Sequence, residues 1–233
     1  METINLEEVS IGQIVANDFR TASVFKNNRI DFCCGGKKSL ADTCQELEID
    51  QQKVEVELAA VSLTPPNPGQ DFRSWRPGFL CDYIVNTHHR YVLQTLPDLA
   101  QYTQKIASVH GGHHPELLEV ASLFAKINEE LLQHLKKEEE VLFPAIKQAI
   151  TDNNSESKAL IVSEINRMVG EHDFAGGAMD RINQITDHYN LPEDSCGTYQ
   201  VAFKLLEQFE DDLHIHVHLE NNILYPAALK LAN

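Results

Sequence analysis

Two stretches of the chain repeat one another without a gap. His134-Leu-Lys-Lys-Glu138-Glu-Glu-Val-Leu-Phe-Pro144 aligns with His216-Val-His-Leu-Glu220-Asn-Asn-Ile-Leu-Tyr-Pro226 at a constant offset of 82 residues. That offset is too long for a solenoid period and suits a bundle of two similar helix pairs. Glu130 and Asp212 extend the match backwards, so each segment carries carboxylate, imidazole and carboxylate at i, i+4 and i+8. Four helical residues turn through about 400°, which stacks these side chains on one face with about 40° of drift per step. Leu131, Leu135, Val141 and Leu142 surround one ladder, and Leu213, Val217, Ile223 and Leu224 the other. The His and Glu therefore fall beside or within an apolar stripe, where an unpaired carboxylate costs several kcal/mol. A metal ion removes that cost. The competing reading, exposed Glu/His pairs, is weakened by the matching aromatic-Pro pair that follows each ladder.

The rest of the chain supplies a frame for this repeat. Thr64-Pro65-Pro66-Asn67-Pro68-Gly69 packs three of the nine prolines into six residues, where the missing donor and fixed φ stop a helix. It divides a small helical N-terminal domain (1–62) from a larger domain (77–233), with a Pro/Gly-rich linker over 63–76. In the first domain Asn5, Ser39 and Asp50 are the candidate N-caps of three short helices. Asp31-Phe32-Cys33-Cys34-Gly35-Gly36 forms a turn between the first two. Beyond the linker no period-2 alternation lasts the length of a strand, whereas apolar residues recur at three and four, as in Ile127, Leu131, Leu135 and in Leu205, Phe209, Leu213. Breakers divide the region into helices near 77–95, 115–149, 156–188 and 198–230, with Gly111-Gly112, Asp152-Asn153-Asn154 and Asn190-Leu191-Pro192 as turns. The stretch from Pro97 to His110 is either an extra short helix or an extension of the first long one. The predicted fold is all-α, an antiparallel four-helix bundle preceded by the small domain.

In such a bundle the first and third helices should also face the ladders, and they carry Thr87-His88-His89 and Glu171-His172-Asp173. The repeat does not decide between His88 and His89. Four His and two Glu are too many donors for one tetrahedral zinc. Two metals sharing Glu138 and Glu220 use the set fully. Imidazole and carboxylate without sulfur suit iron, then manganese, and do not exclude zinc. Glu130, Glu171 and Asp212 are candidates to hold ligand imidazoles from behind or to relay protons. His214 and His218 lie about 200° from His216 and are expected to face solvent or a neighbouring helix. His110, His113 and His114 surround a Gly-Gly turn and read as loop residues.

Net charge narrows the partners. With 19 Lys+Arg against 35 Asp+Glu the chain carries −16 before any His contributes, a field that repels nucleic acid and anionic lipid. Apolar runs are far shorter than the roughly 20 residues that span a bilayer. The N-terminus lacks a basic and apolar leader, so the protein is expected in the cytoplasm. Five Cys, two of them adjacent, do not form a secreted disulfide framework. Cys33 and Cys34 read as a redox pair, as a contact for a partner or transient iron ligand, or as two small buried hydrophobes. Cys44, Cys81 and Cys196 read as structural.

His88, His134-x-x-x-Glu138, His172 and His216-x-x-x-Glu220 resemble the hemerythrin-like bundle. Asp31-Phe-Cys-Cys-Gly-Gly resembles the ScdA-type N-terminal domain of the bacterial repair-of-iron-centres proteins, and the domain order matches as well. The resemblance favours His88 over His89. It implies two non-haem iron ions bridged by Glu138 and Glu220, and a role in restoring iron–sulfur clusters damaged by nitric oxide or oxidants. Implied partners are damaged iron–sulfur proteins, NO or O2 as small ligand, and a second copy in a homodimer. Oxygen carriers of this fold typically place His where Glu220 stands, which argues against simple oxygen carriage. Iron donation and NO reduction both fit, with Cys33 and Cys34 supplying electrons or target contact. The rival from another class is an O2 or NO binding or sensing module that signals through the N-terminal domain, and a third reading is a metal-free helical scaffold.

Overall fold

The computed structural model describes residues 9–63, 65, 68–151 and 155–232. Among them there is no strand, only an isolated bridge between Ser10 and Ser39. No helix of the described residues is long and apolar enough to cross a membrane.

The N-terminal domain packs α1 (Ile11–Asn17), α2 (Ala22–Asn27), α3 (Leu40–Glu46) and α4 (Gln51–Ser62) around Ile11, Ile14, Phe25, Leu40, Val54 and Leu58. Ser39 and Asp50 cap α3 and α4 as expected, each accepting from backbone N–H groups of the first turn. The first helix differs. Asn5 lies outside the described residues, and the cap is Ser10, whose hydroxyl accepts from Gln13 N while the Gln13 side chain accepts from Ser10 N. That reciprocal pair is a capping box. The short α2 was not expected from the sequence. Of the linker, Thr64, Pro66 and Asn67 lie outside the described residues, as does the Asp152-Asn153-Asn154 turn.

Four long helices follow. The first is α5 (Pro77–Ile84), a π-helical turn (Val85–His89) and α6 (Arg90–His110). Pro97 lies inside α6, so the stretch to His110 extends the first helix. The second is α7 (Glu116–Lys137), a π turn (Glu138–Leu142) and α8 (Phe143–Thr151). The third is α9 (Ser155–Ile185). The fourth is α10 (Gly197–Leu219), a π turn (Glu220–Leu224) and α11 (Tyr225–Ala232). Pro144 and Pro226 each stand two residues past a π turn. A proline inside a regular helix removes the donor to the carbonyl four residues back and clashes with it; a wide turn just before it loosens that demand.

The three π turns lie at one level of the bundle. On one side of that level the core is Leu96, Leu99, Phe124, Ile127, Phe203 and Leu206 with their neighbours. On the other it is Ile84, Leu142, Phe143, Ile146, Ile165 and Leu224. Between the two apolar clusters sits a polar layer.

The N-terminal domain docks on the third and fourth helices beside that layer. Asn222 donates to the carbonyls of Phe32 and Cys33 at 3.3 and 3.1 Å. Lys26 pairs with Asp211 at 2.6 Å. A Cβ on Gly12 would sit 2.2 Å from Asn222 Oδ1 and one on Gly36 3.0 Å from the same atom, so two glycines allow the domain to approach this closely.

Candidate metal centre

Glu138 and Glu220 are the first residues of two π turns, both completely buried. His134 and His216 precede them by four residues on the same faces, at 3.3 and 3.1 Å (Nε2 to carboxylate oxygen). From the third helix His172 Nε2 reaches Glu220 Oε2 at 3.2 Å. From the first helix the imidazole that arrives is His89, with Nε2 3.3 Å from Glu138 Oε2 and 3.8 Å from Glu220 Oε1. Candidate donor atoms thus fall into two groups, His89, Glu138, His216, Glu220 and His134, Glu138, His172, Glu220, each within 4.8 Å. Both carboxylates belong to both groups.

The expectation of His88 is therefore corrected. His88 belongs to neither group; its Nδ1 bonds Asp212 at 2.9 Å, and its ring stacks on His216. The reason is local. Both His close a π turn, so periodicity leaves the choice between them open, and the backbone there turns His89 to the layer and His88 to Asp212.

The outer nitrogens are held in a pattern that follows the repeat. Glu139, next to Glu138, takes His89 Nδ1 at 2.8 Å; Asn221, next to Glu220, takes His172 Nδ1 at 2.9 Å. The residue after each ladder Glu thus supports an imidazole of the preceding helix, which makes His89 the counterpart of His172. Glu171 takes His134 Nδ1 at 2.9 Å and is itself held by Lys137 at 2.5 Å, while Asp212 lies behind His88. The expected supporting role of Glu171 matches this position. That of Glu130 does not: it is exposed, with no hydrogen bond or ion pair to a described residue, because His134 turns its outer nitrogen to the third helix. Sequence reading missed Glu139, Asn221 and Tyr225, whose hydroxyl donates to Glu138 Oε1 at 2.6 Å. Glu139 and Asn221 had a signal, as the residues directly after the repeated Glu.

An imidazole whose Nδ1–H donates to a carboxylate or amide presents a lone pair at Nε2. His134 and His172 bring their Nε2 atoms to 3.1 Å in a buried space, close enough to share one proton or one cation. His89 Nε2, Glu138 Oε2 and Glu220 Oε2 have no hydrogen-bond partner. Buried polar atoms are nearly always satisfied, so this convergence of unpaired donors fits bound cations. Burial alone lowers the pKa of His89 and His134, yet Glu138 and Glu220, joined at His134 by Glu171, outweigh it and hold each imidazole up at about 10. The imidazoles in turn draw Glu138 down to about 2 against the raising effects of burial and of Glu220. Without cations the layer is balanced by protons on its imidazoles.

The hemerythrin HHE cation-binding domain model matches residues 82–228, and the ScdA_N model, described as a domain of unknown function, matches residues 7–62. Iron-sulfur cluster repair protein YtfE of Yersinia pseudotuberculosis serotype O:1b (strain IP 31758) is 32% identical over 221 residues, 95% of this chain and 96% of that one. The protein of the same name from Yersinia pestis (strain Pestoides F) matches equally, at 32% identity over the same share of both chains. The chain belongs to this two-domain repair family. Its larger domain is a hemerythrin bundle, as the sequence led one to expect, and membership implies iron binding.

Within this family member the Cys pair lies against the third helix at His172. Asp31 accepts from Cys33 N, Gly35 N and Cys33 Sγ, forming the turn that presents both thiols. The two cysteines form no disulfide, and the Cys33 thiol donates a weak hydrogen bond to Cys34 Sγ at 4.0 Å. Cys34 is half-buried, and its thiol donates to the backbone carbonyl of His172 at 3.5 Å. Cys33 is buried in the bundle core, and contact with Cys34, burial and the charge of Asp31 hold its thiol well above the ordinary range. His218, expected in solvent or against a helix, is instead fully buried under Phe32 of the N-terminal domain, and burial lowers it to about 4.

Proposed function

We propose that the chain holds two iron ions in the polar layer, His89 and His216 on one, His134 and His172 on the other, with Glu138 and Glu220 bridging, and that it serves in the repair of damaged iron–sulfur clusters. The observation that carries this reading is the sharing of both buried carboxylates between two pairs of imidazoles. Such a pair supplies one-electron redox change and coordination of a diatomic ligand such as NO or O2. The chain's own residues do the rest. Glu139, Glu171 and Asn221 fix the ring orientations that keep Nε2 free. Tyr225 holds Glu138 through one oxygen and leaves the other for metal. The apolar clusters on either side keep water from the layer.

The repair role rests on the family and on the Cys turn. Damaged iron–sulfur proteins are the targets, and iron delivered to them is the cargo. Cys34, half-exposed at the seam and touching the His172 backbone, is the thiol placed to meet a target or pass electrons; Cys33, buried with a raised thiol, positions it. The test is anaerobic loading with ferrous iron, followed by mixing with an enzyme whose cluster has been damaged by NO. About two irons retained per chain, recovery of the enzyme and loss of recovery in Cys34→Ser with the iron retained are expected. Retention of well below two irons after loading would overturn the metal assignment, and full recovery without this chain would overturn the repair role.

A further inference from the structure

The fourth helix carries a second ladder between the rungs of the first. Asp212, His216 and Glu220 face the bundle layer, whereas Glu210, His214, His218 and Asn222, also spaced by four, face the N-terminal domain. The lower part of this second ladder opens into a cavity of about 530 Å³ at the seam of the two domains. There Asp180 of the third helix joins Glu210 and His214, with one donor atom from each within 4.8 Å of the others. We propose that Asp180, Glu210 and His214 form a separate site for one divalent first-row cation of the Mn2+ or Fe2+ kind.

Three observations support this. Glu210 is 7% exposed, and no Lys or Arg of the described residues pairs with it or with Asp180, although Lys26, Arg29 and Lys38 line the same cavity; Lys26 is committed to Asp211 and Lys38 to Glu46. A buried carboxylate without a counter-charge is costly, and the amide of Asn183 at 2.8 Å supplies only a neutral partner. Tyr189, 9% exposed, lines the cavity, and its hydroxyl, buried beside Glu210 and Asn183, makes no well-aligned hydrogen bond to a described residue. Burial and the charge of Glu210 raise that phenol, which places it against the carboxylates. A cation with its water shell would satisfy both that hydroxyl and the uncompensated charge. Two carboxylates and one imidazole, with cavity space for water, suit Mn2+ and Fe2+. Consistent with a missing positive charge, burial lifts the Glu210 carboxyl to about 7.

The test uses the full chain, first loaded anaerobically with ferrous iron, then desalted to about two irons per chain so that only the bundle layer is filled, and titrated with Mn2+, the signal of free aqueous Mn2+ being followed by electron paramagnetic resonance. One Mn2+ per chain is expected to bind the native protein, with at least about tenfold weaker binding in His214→Ala and in Asp180→Asn. Asp180 is exposed, so its amide variant leaves the core intact, and equal melting temperatures confirm folding. The proposal is overturned if native protein binds no Mn2+ beyond that taken by both variants. Failure of the bundle layer to hold iron would change native and variant totals alike, and so is told apart from failure of this site.

Discussion

Replacing Gly12 by alanine tests how tightly the two domains are joined, because the two possible outcomes differ in sign. In the first turn of a helix with nothing nearby, Gly→Ala stabilises by up to about 1 kcal/mol. Here the new Cβ would meet Asn222 Oδ1 at 2.2 Å, Asn222 Cγ at 2.6 Å and the Gly36 carbonyl at 3.0 Å. The Gly36 contact is backbone, so Asn222 must leave, and its two hydrogen bonds to the Phe32 and Cys33 carbonyls go with it. Those bonds are worth about 1 kcal/mol each, and overpacking adds about 1–3 kcal/mol. Net destabilisation of about 2–4 kcal/mol is expected in urea unfolding. Gly177→Ala, in the third helix with nothing within 4 Å of its added Cβ, should move about 0.5–1 kcal/mol the other way. In an Asn222→Ala background the cost of Gly12→Ala should fall by more than half. A Gly12→Ala protein as stable as the native one would refute the close seam.

Three further outcomes follow from the site. His89→Ala should lose about half of the retained iron while His88→Ala keeps it; the reverse result in metal analysis would restore His88. Tyr225→Phe removes the 2.6 Å bond to buried Glu138 and should cost about 1.5–3 kcal/mol in thermal unfolding of the chelator-treated protein; an unchanged melting temperature would contradict the geometry. Glu210, held at about 7 by burial against a usual 4.5, with Asp180 and Asp211 adding to the rise, binds a proton more readily folded than unfolded. Its stabilising contribution is complete below about pH 4.5 and is lost as pH rises to about 7, a change of about 3 kcal/mol. Stability curves of metal-free native and Glu210→Gln protein that run parallel over that window would show the carboxyl to be ordinary.

The helical repeat made most of the centre legible. His134, Glu138, His216 and Glu220 follow from two i,i+4 pairs in apolar surroundings, and His172 from the pairing of helices; the structure gathers all five. Helical periodicity left His88 and His89 undecided, and the resemblance favoured His88; nothing in Val85–His89 announces the wider turn that brings His89 to the layer. The prolines two residues after the other π turns were visible, yet a proline signals a break more readily than a widened helix. Glu130 failed for a related reason: shared helix face does not fix which neighbour a ring nitrogen chooses. The N-terminal domain was legible as helices with caps at Ser39 and Asp50, but its docking was not. Burial of His218 and the contact of Cys34 with the His172 carbonyl join residues far apart in the chain through shapes that periodicity does not encode.

The three wide turns also bear on how such a chain can change over time. One residue more or less rotates everything beyond it in a helix by about 100°, so the apolar stripes on either side of the polar layer run in separate phases. Each π turn is thus a natural splice point. Segments exchanged between relatives with the joint inside that turn keep both stripes aligned, whereas a joint elsewhere carries the extra residue along and faces half a helix the wrong way. The layer that gathers the ligands is also the place where the bundle divides into two separately variable modules.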